Sequence, residues 1–149
     1  MNETLAKLRS RTHWQTRTGA DDPPVLTVRL PRQAASVPLC RHLVRQTLTD
    51  WKLPHTADTA ELIVAELASN TIRHTHHKSF RLTLRRMPGG VIRVTVTDRS
   101  RALPVPRDAG VDDLGGRGLA LVDVLAQAWG TDRLLWGKRI WADLAADAP

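Results

Sequence analysis

The apolar residues of this chain change period at His77, and that change limits what the chain can become. Upstream, Ala60, Ile63, Val64, Leu67 and Thr71 recur at helical spacing, which predicts an amphipathic helix over residues 61–74 laid on a core. Downstream, Phe80, Leu82 and Leu84 alternate with Arg81, Thr83 and Arg85, while Ile92, Val94 and Val96 alternate with Arg93, Thr95 and Thr97. With the turn residues Pro88, Gly89 and Gly90 between them, the two runs predict an antiparallel hairpin. One face of that hairpin must pack on helices, and the other must show arginines to solvent.

The remaining segments extend this arrangement. Residues 1–24 are polar and end in Asp21-Asp22-Pro23-Pro24, so they are expected to form a mobile tail or a short helix, with the compact domain at 25–146. The β-branched run at 25–30 predicts a strand. Residues 36–51 predict a helix capped by Ser36, with Pro38 in its first turn and Leu39, Leu43, Val44, Leu48 and Trp51 along its apolar stripe. Leu53-Pro54 ends it, and Thr56 and Asp58 offer capping oxygens to the next helix. From Arg99 to about Leu114 the chain has no period and reads as a lid-like loop. Gly115-Gly116-Arg117-Gly118 then opens a third helix through Leu119, Leu121, Val122, Leu125 and Ala126, and 134–136 with 140–144 predict a last hairpin turning at Gly137-Lys138. Helices gathered on one side of a mostly antiparallel sheet make an α+β two-layer sandwich.

At 149 residues, 42% of them hydrophobic and with no internal repeat, the chain is long enough for one substantial core. No run has the apolar length of a membrane span, and the basic N-terminus lacks the apolar stretch of a secretory signal, so cytoplasmic residence without membrane association is expected. The single Cys40 falls on the apolar stripe of a predicted helix, where packing is its expected role. The net charge of +7 is concentrated in residues 73–101, where eight basic residues face one acid, Asp98. A single basic face suits a phosphate-rich ligand or an acidic protein partner.

Three local patterns carry chemistry. Glu66, Asn70 and His74 are spaced one helical turn apart, so a carboxylate, a carboxamide and an imidazole line one edge of the apolar stripe. A carboxylate beside an amide oxygen is a donor set for a hard cation, although a solvated helix face has the same pattern. Asp98, at a strand end beside a long loop, can accept the exocyclic N–H of adenine and would repel the carbonyl of guanine; a turn-forming aspartate reads the same way. A Gly-Gly-x-Gly run opening a helix lets backbone N–H groups approach a phosphate, and equally serves as a plain loop-to-helix junction.

The order of these pieces is more specific than any one of them. Glu66-x-x-x-Asn70-x-x-x-His74, two strands, Asp98, a lid and then Gly116-x-Gly118 resemble the nucleotide-binding fold of the gyrase, histidine-kinase and heat-shock-chaperone ATPase superfamily. The short length, together with Ala35-Ser36-Val37-Pro38, Arg41, Trp51 and the ending Gly137-Lys138-Arg139-Ile140-Trp141, is similar to the stand-alone actinobacterial anti-sigma factor serine/threonine kinases. The likeness covers roughly residues 25–145.

This resemblance implies a two-layer α/β sandwich of the Bergerat ATPase type and a regulator that binds ATP and Mg²⁺. It also implies that such a regulator holds a sigma factor and phosphorylates an anti-sigma factor antagonist, and a homodimer by analogy. Asn70 matches the Mg²⁺ ligand, and Glu66 the acidic residue that takes the proton from the attacking hydroxyl. Asp98 matches the adenine-reading aspartate, Gly116 and Gly118 match the lid glycines, and His74, Arg117 and Leu119 belong with them as nucleotide-site residues. The chain departs from the family where Ser100 and Ala102 replace the glycines of the first glycine box, which motivates the alternative of a nucleotide-binding or interaction module without kinase activity. Direct nucleic-acid binding through Arg81, Arg85 and Arg93 is not expected, because no aromatic stacking platform accompanies them.

Overall fold

In the computed structural model, the residues described are 14–17, 24–99 and 119–146. The elements run β1 (Trp14–Arg17), β2 (Val25–Pro31), α1 (Ser36–Asp50), a 3₁₀ turn (Pro54–Thr56), α2 (Ala57–His74), β3 (Ser79–Met87), β4 (Val91–Asp98), α3 (Ala120–Leu125), β5 (Ala128–Leu134) and β6 (Gly137–Ala145). The strands form one sheet in the order β1-β2-β3-β4-β6-β5, antiparallel at every pairing. This is the expected α+β two-layer sandwich, an antiparallel sheet with helices on one face.

The alternation in β3 and β4 fixes the register. Leu82 pairs with Val96 and Leu84 with Val94, so their side chains fall on one face together with Leu26, Val28 and Leu30 of β2. All of them are buried against Leu43, Val44 and Leu48 of α1 and Ile63, Val64 and Leu67 of α2. Each such side chain contributes about 1.5–3 kcal/mol by leaving water, and together they hold the two layers. Cys40 lies inside this core, where burial pushes its thiol up to about 12, so it packs as an apolar residue. No helix among the described residues is long and apolar enough to cross a membrane.

Helix α1 ends in a Schellman motif. The N–H of Leu53 donates to the carbonyl of Leu48 at 2.7 Å and that of Lys52 to Thr49 at 3.0 Å, with Lys52 at φ 62° in the left-handed region. Across the helix pair, Arg45 of α1 is held by both Asp58 and Glu61 of α2. Those two carboxylates raise the Arg45 pKa above its usual value.

Several expectations are corrected. Within the stretch expected to be a tail, Trp14–Arg17 is an edge strand on β2. Ser36 does not cap α1: it lies inside the first turn, fully buried, and its hydroxyl donates instead to the carbonyl of Pro31 at 2.6 Å. Neither Thr56 nor Asp58 caps α2. The 3₁₀ turn delivers Thr56 already in a helical conformation, its Oγ1 buried without a hydrogen-bond partner among the described residues, and Asp58 is turned toward Arg45. In the last hairpin the first strand is β5, not 134–136; Leu135 and Trp136 form the turn and are exposed, while Gly137 and Lys138 begin β6. Edge strand β5 contains Gly130 and Asp132 and is mostly half-exposed, so it carries none of the alternation that would mark it in the sequence. The expected loop from Arg99 onward, with Ser100, Ala102 and Gly115, lies outside the described residues except for Arg99 itself.

Candidate functional site

Helix α2 and strand β4 bring the expected residues toward one end of the sandwich. Asn70 faces the core side of α2 and is only 2% exposed, whereas Glu66, one turn earlier, is half-buried and His74, one turn later, is exposed. The ridge read from the sequence therefore crosses from the rim into the interior and out again. The Asn70 side-chain oxygen Oδ1 is buried and has no hydrogen-bond partner among the described residues. An unpaired buried amide oxygen costs about 1–3 kcal/mol, so such a group calls for a ligand. Its chemistry, a hard neutral oxygen donor, fits a Mg²⁺ ion whose other positions are taken by phosphates and waters.

Asp98 ends β4 in the middle of the sheet, between Phe80 of β3 and Lys138 of β6. It is 1% exposed, a carboxylate buried on the face that carries the helices. Thr75, the residue after α2, is also 1% exposed and joins the two elements. Its hydroxyl donates to Asp98 Oδ1 and accepts the N–H of His77 at 3.1 Å, while its carbonyl accepts from Arg32 Nη1 at 3.1 Å. The end of the Glu66-Asn70-His74 helix is thereby fastened to the carboxylate.

Thr75 is a functional candidate that sequence reasoning missed. It sits in a His-Thr-His stretch with no period, and only the hydrogen bond to a residue 23 positions away gives it a role. Thr75→Val keeps the shape and removes the hydroxyl. It is expected to cost about 2 kcal/mol in a denaturant titration, because a buried hydrogen bond to a charged group is lost. Nucleotide affinity should fall with it, and Thr75→Ser should restore both.

The sequence pattern makes Gly137 a turn residue, but its position is more demanding. It begins β6 beside the end of β4, where an added Cβ would lie 1.9 Å from the carbonyl oxygen of Asp98. The backbone of the last hairpin thus closes directly on the residue expected to read adenine. Lys138, next in β6, is half-buried and opposite Asp98, a strand position and not a solvated turn.

Of the remaining expected site residues, Gly116, Arg117 and Gly118 lie outside the described residues. Leu119, which follows them, is 1% exposed at the start of α3 and packs into the core with Val122. Helix α3 lies against α2, and Trp129 Nε1 of β5 donates to Asp123 of α3 at 2.8 Å. Leu119, the residue after the glycines in the sequence, is therefore set in the same core as the helix that carries Asn70.

Among known proteins, an uncharacterized protein of Streptomyces coelicolor is 47% identical over 71 residues, which is 46% of this chain and 66% of that protein. The histidine kinase domain of the blue-light activated histidine kinase of Erythrobacter litoralis is 28% identical, covering 61% of this chain and 45% of that chain, with a TM-score of 0.46. This chain thus spans less than two thirds of the length of either. The description of the histidine kinase-like ATPase domain family matches residues 30–134, well over half of the 149, so the chain belongs to that family, and membership implies ATP binding.

Proposed function

We propose that this protein is an anti-sigma regulatory factor that binds Mg²⁺-ATP and phosphorylates a serine or threonine of an anti-sigma factor antagonist, controlling transcription by exchange of protein partners. The observation that supports it most is a buried Asn70 oxygen, without a hydrogen-bond partner among the described residues, together with a buried Asp98 carboxylate anchored by Thr75 to the end of the same helix. Asp98 accepts the adenine amino group, and its burial makes that contact selective, since a carbonyl there would be repelled. Asn70 holds Mg²⁺, which neutralises phosphate charge when bound. Glu66, half-buried one turn away, takes the proton from the attacking hydroxyl. Gly116, Arg117 and Gly118 cover the phosphates, with Leu119 anchoring that segment in the core.

Calorimetric titration with ATP and Mg²⁺ tests the binding half of the proposal. Saturable binding is expected in the wild type, and Asn70→Ala should abolish the Mg²⁺-dependent part. Wild-type affinity in that variant would remove Asn70 as the metal ligand. Incubation with an antagonist and labelled ATP tests the other half. The replacement of two box glycines by Ser100 and Ala102 favours a second reading, a nucleotide-binding module without transfer; stable ATP and partner binding with no label on the antagonist would select it.

A further inference from the structure

The outer face of the sheet, opposite the helices, carries no element among the described residues, and its charges are unevenly satisfied. Arg93 makes a bidentate pair with Asp143 at 2.7 and 2.9 Å and lies over the Trp141 ring at 4.4 Å, and Arg139 pairs with Asp132 at 2.8 Å. Arg29, Arg81, Arg85 and Arg99 meet no carboxylate among the described residues. The register places Arg29 directly opposite Arg81 and Arg85 directly opposite Arg93. Like charges facing each other across strands destabilise a sheet, so the fold holds these guanidiniums together against their repulsion.

At one end of the face, Arg29, Arg81 and Arg99 surround a shallow notch with Thr97 and Ser79 on its walls. Burial, then the neighbouring Arg99 and Arg29, lower the Arg81 pKa from its usual value. The notch is open to solvent and its enclosed volume, about 10 Å³, has room for little more than one water-sized group, far below the ~300–1,000 Å³ of a typical small-molecule site, so it suits one anionic group borne on a larger partner. Arg85 lies four residues along β3 from Arg81, about 13 Å away in an extended strand, across a row formed by Thr27, Thr83 and Thr95.

We propose that this outer sheet face docks an extended acidic segment of a partner protein, with one carboxylate cluster in the Arg29-Arg81-Arg99 notch and a second, about four residues on, at Arg85. Charge complementarity selects the partner. Nucleic acid would offer phosphates but also bases, and the tryptophan rings beside this face among the described residues, Trp141 and Trp136, already lie under the guanidiniums of Arg93 and Arg99. A second copy of this chain would bring the same positive face. Arg99 over the ring of exposed Trp136 supplies an apolar margin beside the notch. The surface lies on the side of the sheet away from Asp98 and Asn70, so the inference does not rest on the kinase reading.

The test uses the full chain and a fluorescein-labelled serine-rich peptide with two Glu-Glu pairs about four residues apart. Saturable binding is expected at low salt, weakening as salt rises, and Arg29→Gln with Arg81→Gln should reduce affinity at least about tenfold. Arg45→Gln, on the helical side, should leave it unchanged. The double variant should keep or raise its thermal midpoint and keep its ATP titration, which separates loss of docking from loss of fold or of nucleotide. Absent peptide binding, or equal binding by the double variant, overturns the proposal. A single-stranded oligonucleotide of equal charge bound more tightly and lost in the same variant overturns it in favour of nucleic acid. A concentration-dependent dimer abolished by the substitutions assigns the face to a second copy instead.

Discussion

Alanine at position 137 is expected to lower stability by about 3 kcal/mol and the thermal midpoint by about 10 °C. The new methyl would lie 1.9 Å from the Asp98 carbonyl oxygen, 2.9 Å from its carbonyl carbon and 3.0 Å from Arg99 Cα. All three are backbone atoms of the strand end that the hairpin packs against, so no side chain can rotate aside. Strand β6 must move away from β4, opening the ladder where Asp98 faces Lys138. ATP affinity should therefore fall as well, because Asp98 is displaced. Gly89→Ala is the contrasting control. No atom of the described residues lies within 4 Å of its added Cβ, yet φ is +81°, so a loss of about 1 kcal/mol is expected with ATP binding intact. Thermal melts and titrations of the two variants, run side by side, check the pair; a wild-type midpoint in Gly137→Ala would refute the close packing.

Glu66→Gln is expected to bind ATP as the wild type does and to transfer phosphate to an antagonist about 10²–10⁴-fold more slowly. Glutamine keeps the length and a hydrogen-bonding oxygen, but it cannot take the proton of the attacking hydroxyl. Glu66 is half-buried, one helical turn from the buried Asn70, so the substitution disturbs no core packing and its effect should fall on the rate alone. Single-turnover label transfer and calorimetry on the same preparation separate rate from affinity. An unchanged rate would move the base to another residue.

The proposed docking surface and the proposed nucleotide site lie on opposite faces of one sheet, joined by the same strands. Arg81 and Thr97 belong to the outer face while Phe80 and Asp98 belong to the inner one, and they pair across β3 and β4 in adjacent rows. An acidic partner on the outer face would thus bear on the strands that position Asp98, a geometry suited to a regulator whose partners and nucleotide respond to each other.

The local periods alone were enough to place α1, α2, β2, β3 and β4, because side chains at spacing two or near 3.6 must share a face whatever their surroundings. The alternation of Phe80, Leu82 and Leu84 with arginines and threonines even determined which side of the sheet would be buried. The helical spacing likewise puts Glu66, Asn70 and His74 on one helix whatever the fold around it. Tertiary structure decided the rest. Edge strands β1 and β5 exist because neighbouring strands offer unpaired backbone groups, not because their own residues alternate. Ser36 chose the Pro31 carbonyl over a cap since the chain doubles back on β2, which no local propensity encodes. The depth of Asn70, the tether from Thr75 to Asp98 and the close approach of Gly137 are contacts between segments far apart in the chain, and only packing the two layers brings them into being.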